Sequence, residues 1–170
     1  MKKNDNSLFV AYEENLKRFK RSIVKAGILA SSGAETYKDE DMFKDTIDEI
    51  TVFQVGMIHE FGVPEKNIPR RSFIRVPIEN NIKEITKLIE NNHRLVLEKG
   101  MQTKVALDLI GIKAQNVIKE SFRNNNWKAN SRATIKRKGS SRPLINTGQL
   151  IGSISYIVEK AEINIVEKEN

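Results

Sequence analysis

The chain has 170 residues, 39% of them hydrophobic and 30% charged, and carries a formal net charge of +7. That length fits one domain, residues 1–170, with a hydrophobic core of its own. The absence of cysteine excludes disulfides, thiolate metal ligands and a cysteine nucleophile, and no apolar run approaches the ~18 residues of a membrane span. The first residues, MKKNDNSLFVAYEEN, lack the apolar stretch of a signal peptide, so the reading is a soluble, unprocessed protein made in a cytoplasm, with no membrane partner.

Residues 8–24 place Leu8, Tyr12, Leu16, Phe19 and Ile23 on one helical face, with Glu13, Glu14, Lys17, Arg18 and Lys20 toward water, so a first amphipathic helix is predicted. The run that follows predicts a strand over 23–30, and a Ser-Ser-Gly turn closes it. An acidic loop comes next, with Glu35, Asp39, Glu40, Asp41, Asp45, Asp48 and Glu49 against Lys38 and Lys44. Thr51, Phe53 and Val55 alternate, which predicts a second strand over 49–55, antiparallel to the first. Gly62, Pro64 and Pro69 make 62–71 a loop.

Two helices follow. Residues 78–98 carry Ile78, Ile82, Ile85, Ile89 and Val96 on one stripe, and 102–122 carry a wider apolar face from Ala106 to Phe122. Gly100 between them predicts an antiparallel helical hairpin, and Gly111 marks a close approach inside the second helix. Residues 124–146 read as a long basic loop. Thr147 to Leu150 reads as a cap and helical turn, and strands over 153–159 and 162–167 form a C-terminal hairpin spanning 153–167. The fold class expected is α+β: an antiparallel sheet of about four strands packed against an N-terminal helix and a helical hairpin, with the long basic loop outside.

Charge is unevenly placed. Residues 121–158 hold Arg123, Lys128, Arg132, Lys136, Arg137, Lys138 and Arg142 and no acid, whereas 35–49 is acidic. Two opposed faces suit either contacts between neighbouring copies or a basic face on a phosphate backbone; both segments can equally be solvated loops.

Catalytic patterns are missing. His59-Glu60 lacks the second histidine of a zinc-protease helix, because position 63 is Val63, and His93 sits on a charged face. No Gly-x-Ser-x-Gly elbow occurs, and Lys138-Gly139-Ser140-Ser141 lacks the glycine spacing of a phosphate loop. No catalytic residue, cofactor or metal is assigned. Trp127 is the one aromatic in the basic segment, which is thin for base stacking, so nucleic-acid contact would be non-specific, through Lys136, Arg137 and Lys138.

Two stretches carry a resemblance. The first is Met57-Ile58-His59-Glu60-Phe61-Gly62 followed by Ile68-Pro69-Arg70-Arg71-Ser72-Phe73-Ile74-Arg75. The second runs from Trp127 through Thr134 to Gly139, then Pro143-Leu144-Ile145-Asn146-Thr147-Gly148-Gln149-Leu150 and Ser153-Ile154. In order and spacing over about residues 50–155 they resemble the tail-completion or neck proteins of tailed bacteriophages, often labelled virion morphogenesis proteins. The resemblance implies a non-catalytic virion protein at the head–tail junction, forming a ring of about six copies, a hexamer. Its partners would be itself, the head connector or adaptor, and the tail terminator or tail tube, with possible non-specific contact with packaged DNA. The residues read as contacts between subunits or with a neighbouring ring are Arg70, Arg71, Arg75, Trp127, Lys136, Arg137, Lys138 and Arg142. Phe61, Phe73 and Ile74 belong either to that surface or to the core. The alternative function is a basic protein that binds nucleic acid non-specifically.

Overall fold

The computed structural model describes residues 6–37, 50–124 and 127–161. The acidic stretch 38–49 and the strand expected over 162–167 lie outside them. The first helix, α1, spans Asn6–Lys20, and β1 follows directly at Ser22–Ile28. A single turn, α2 (Ala30–Gly33), leads to α3 (Val52–Phe61), and a 3-10 turn (Pro64–Lys66) sits in the loop after it. Then come α4 (Arg75–Asn80), α5 (Ile82–Lys99), α6 (Thr103–Asn124), α7 (Arg132–Lys138), α8 (Gln149–Gly152) and β2 (Ile154–Lys160).

The architecture is mixed helix and antiparallel sheet, but the sheet has two strands among the described residues, in place of about four. β1 pairs with β2 from Ser22↔Lys160 to Ile28↔Ile154, so the first strand takes its partner from the far end of the chain. The segment expected to be that partner is helical. Thr51 caps α3 with a reciprocal box: its hydroxyl accepts from Gln54 N at 3.2 Å, and Gln54 Oε1 accepts from Thr51 N at 2.8 Å. Val52, Val55, Gly56, His59 and Glu60 are then buried at helical spacing, which a strand cannot do. Thr51 keeps only an isolated bridge to Thr36.

α6 packs across both strands and also against α5, and is the central element. Gly111 lets it approach β2, since a Cβ there would overlap the Tyr156 ring. The helical hairpin forms as expected, with Gly100 left-handed at φ 69° and buried Asn92 donating to Ala106 O at 2.9 Å across α5 and α6. The helix expected over 78–98 starts earlier and breaks at Asn81, whose side-chain amide donates to Pro77 O at 2.9 Å and closes α4. The core gathers Tyr37, Ile50, Val52, Val55, Phe73, Ile118, Phe122, Leu144, Leu150 and Ile154. Phe73, Phe122 and Trp127 form a chain of edge-to-face contacts at 5.1 and 6.0 Å.

The basic loop is partly ordered into helix. Ser131 caps α7 by accepting from Thr134 N at 3.1 Å, and left-handed Gly139 ends it. What remains extended is a short strap over 127–131 and the turns over 139–148.

Candidate functional site

The residues that carry the resemblance form one connected assembly, built on the end of α3. Gly62 turns the chain with φ 76°, and a Cβ there would stand 2.7 Å from Arg70 N, so the position needs glycine for both conformation and space. The loop closes on itself through the Val63–Ile68 bridge, and Arg71 N returns to His59 O at 2.7 Å. Glu60, buried one residue further along α3, holds the start of α4. Its carboxylate accepts from Ser72 Oγ at 2.6 Å, Ile74 N at 2.9 Å and Arg75 N at 3.1 Å, while Ser72 Oγ accepts from Val76 N at 3.2 Å. A carboxylate in that place satisfies amide donors that a helix leaves unpaired at its first turn.

Arg71 links the two stretches. The residue is 5% exposed; its Nε and Nη2 donate to Lys128 O at 3.1 and 3.0 Å, and Nη2 also reaches Asn130 Oδ1 at 3.2 Å. The strap over 127–131 is therefore fastened by a side chain more than 50 positions earlier in sequence. Asn130 continues the tie by donating to Arg142 O at 3.3 Å. Burial lowers the Arg71 pKa from its ordinary value, and the geometry of a planar fork on a carbonyl suits arginine in particular.

Between the 62–71 loop, the strap and α7 lies a cavity of about 660 Å³. Lys66, Arg71, Lys128 and Lys138 line it together with His59, and no Asp or Glu does so among the described residues. Tyr37, Ile58, Ile68, Pro69 and Leu144 make an apolar wall. His59 is 7% exposed and its Nδ1 is shut off from solvent with no hydrogen-bond partner. Burial, with Arg71 and Lys138 near by, pushes its pKa down to about 4, so the imidazole is neutral at pH 7. His93 is a different case: its ring stacks on Phe19 at 5.1 Å, away from this cavity, and its buried Nε2 is unpartnered.

The predicted contact residues divide. Arg70, Arg75, Lys136 and Arg142 are exposed, and Arg75 pairs with Glu79 at 3.8 Å on α4. Two do not present a free surface. Arg71 is buried and committed to the strap, and Trp127 is half-buried against Phe122, because each fastens the basic segment to the core. Lys138 is half-buried at the cavity and donates to Arg142 O at 3.2 Å, and the Arg137 side chain lies outside the described residues. Of the three apolar loop residues, Phe73 is fully buried and Ile74 packs on the core, whereas Phe61 is 56% exposed.

The structure thus joins only Arg71 and Lys138 of the predicted set at the cavity, and adds Lys66, Lys128 and His59 to them. Lys66 and Lys128 had no sequence signal beyond their charge. For His59 the signal was its neighbourhood, an apolar helical run ending in glycine. Two apolar stripes were also missed: Phe53, Met57 and Phe61 on α3, and Val105, Leu109 and Ile112 on α6, all at least 40% exposed. Among the described residues no three of His, Asp and Glu group to hold a metal ion, and no helix is long and apolar enough to cross a membrane. Comparison of the chain with protein-family models, curated proteins and solved structures gave no match in any of the three.

Proposed function

We propose that this chain is a structural protein of the tailed-phage neck, a ring-forming tail-completion or head–tail connector component that joins head to tail and performs no catalysis. The observation that carries the reading is the use made of the motif residues. Glu60, Gly62, Arg71, Phe73, Trp127, Leu144 and Leu150 are engaged with one another or with the core, so the residues behind the resemblance hold a shape. The surface left over suits assembly. A head-to-tail ring needs two different patches on each copy, and the exposed stripes on α3 and α6 offer two on separate helices. The partners proposed are further copies of this chain, about six to a ring, with connector and tail proteins on either side.

Mass spectrometry and electron microscopy of purified particles, and of separated heads and tails, test this. About six or about twelve copies at the neck are expected; finding none in the particle overturns the reading. The second reading, non-specific nucleic-acid binding, draws on the exposed cations Arg70, Lys128, Lys136 and Arg142. It requires DNA binding at low salt that falls steeply as salt rises, with a slope lowered by about one for each phosphate-contacting cation removed.

A further inference from the structure

We infer that the free edge of β1, with the apolar groove beside it, takes residues 162–167 of a second copy of this chain as an added antiparallel strand. The inference deepens the neck reading and rests on it for the ring that such contacts would close. The contact itself is argued from the edge, the groove and the sequence of the tail.

The ladder fixes which main-chain groups the edge presents. Ala161 N donates to Arg21 O at 2.7 Å, so Arg21, Ile23, Lys25 and Gly27 occupy the hydrogen-bonded pairs between β1 and β2. Ser22, Val24 and Ala26 therefore turn their N–H and C=O groups to the opposite edge, where no strand pairs among the described residues. On the outer edge of β2, Ile154 O accepts from Gln115 Nε2 at 2.9 Å, in agreement with this phase. The same three residues of β1 line a groove of about 600 Å³, with Ile74 and Ile78 from α4, Ile85 from α5 and Leu107 from α6 among its other walls. An unpaired edge beside an apolar groove has both parts of strand addition: main-chain bonds for affinity and room for alternate side chains.

The tail matches it. After Ala161 the sequence continues EINIVEKEN, residues 162–170, beyond the described residues. Ile163 and Ile165 alternate with Glu162 and Asn164, so an extended run sets two β-branched side chains on one face. A hairpin back onto β2 lacks its turn chemistry, because Ala161 still belongs to the ladder and Glu162-Ile163 after it contain neither glycine nor asparagine. Direction then decides between copies. A chain's own tail leaves the sheet at the Ser22 end of β1, so it could follow the free edge only in parallel, after passing the junction of α1 and β1. A second copy's tail can run antiparallel, with Ile163 opposite Ala26, Ile165 opposite Val24 and Glu167 opposite Ser22. Both isoleucines then enter the groove, and Glu167 and Glu169 arrive beside Arg18, Lys20 and Arg21, which are exposed and have no ion pair among the described residues. The one acid lining the groove, Glu79, pairs with Arg75 at 3.8 Å.

The chain has no cysteine, so full-length protein carrying one introduced cysteine reports the contact directly. In the stated register Ile23 and Val166 form a non-hydrogen-bonded pair on the outer face, close enough for a disulfide. Ile23→Cys and Val166→Cys chains, one of them isotope-labelled, are mixed and mildly oxidised, and the products are mapped by mass spectrometry. Mixed 23–166 disulfides are expected to exceed the 23–23 and 166–166 products. Adding Ile163→Asp and Ile165→Asp to the Val166→Cys chain should cut their yield about tenfold with the circular dichroism spectrum unchanged. The proposal is overturned if mixed disulfides do not exceed the others, if the aspartate variant links equally well, or if a chain carrying both cysteines closes the bond within itself at high dilution. Copies found at the neck with no such link overturn the strand contact alone; a link in a protein absent from the particle overturns the neck reading alone.

Discussion

Replacing Arg71 with alanine should release the basic segment from the core. The side chain makes two hydrogen bonds to Lys128 O and one to Asn130 Oδ1, all charge-assisted and between 3.0 and 3.2 Å. Hydrogen bonds to a charged group contribute about 1.5–3 kcal/mol each, but Lys128 is exposed and its carbonyl regains water once the strap lifts, so full additivity does not hold. Removal of a buried cation also recovers part of its desolvation cost. A net loss of about 2–3 kcal/mol follows, a fall in Tm of roughly 4–12 °C for a chain of this size. Arg71→Lys keeps the charge and loses the fork, so about half that loss is expected. The readout is built in: Trp127 is the only tryptophan and sits in the strap against Phe122. Its emission should shift to the red in Arg71→Ala, and amide exchange should accelerate over 127–145 ahead of the helical hairpin. Stability within about 0.5 kcal/mol of the parent, together with unchanged emission, would refute the assignment of Arg71 as the fastener.

Gly111→Ala gains helix propensity of about 1 kcal/mol yet sets a Cβ into the Tyr156 ring, and overpacking of that kind costs about 1–3 kcal/mol. Net destabilisation is therefore expected by urea denaturation, and Tyr156→Ala in the same chain should remove the penalty. For His59 the folded pKa, about 4, lies below the ordinary 6.5, so the unfolded chain binds the extra proton first. Its contribution to stability is complete above pH 6.5 and declines by about 3 kcal/mol as pH falls toward 4. The parent should lose that much more than His59→Gln over the same interval in phosphate-free buffer, and parallel pH profiles would contradict it. Under the neck reading, Phe53→Glu with Met57→Glu should leave the circular dichroism spectrum intact, because both side chains are more than 40% exposed, and should abolish ring formation in light scattering.

What the sequence disclosed and what it hid follow from one physical difference. The helical hairpin was legible because α5 is amphipathic and Gly100 stops it, both local signals. α3 was misread as a strand because its outward face is apolar too: Phe53, Met57 and Phe61 erase the polar half of the helical period, leaving β-branched and aromatic residues in apparent alternation. The local signal that decides the matter was present in Thr51 and Gln54, a capping box opening an apolar run, and it outweighs β-propensity because it satisfies two orphan amides reciprocally. Ser131 and Gly139 bracket α7 in the same manner inside a segment whose composition reads as loop. The cavity was beyond reach of any local signal. Lys66, Arg71, Lys128 and Lys138 come from two stretches whose meeting is fixed by one side chain and the strap's backbone carbonyls at Lys128 and Ala129. Charge reading placed Arg71 on the surface, as it does for most arginines, whereas the position behaves as a buried tie. Its burial explains two facts together: the basic segment is held to the core without an apolar periodicity of its own, and two of the cations that segment carries, Lys128 and Lys138, line one cavity with a neutral histidine.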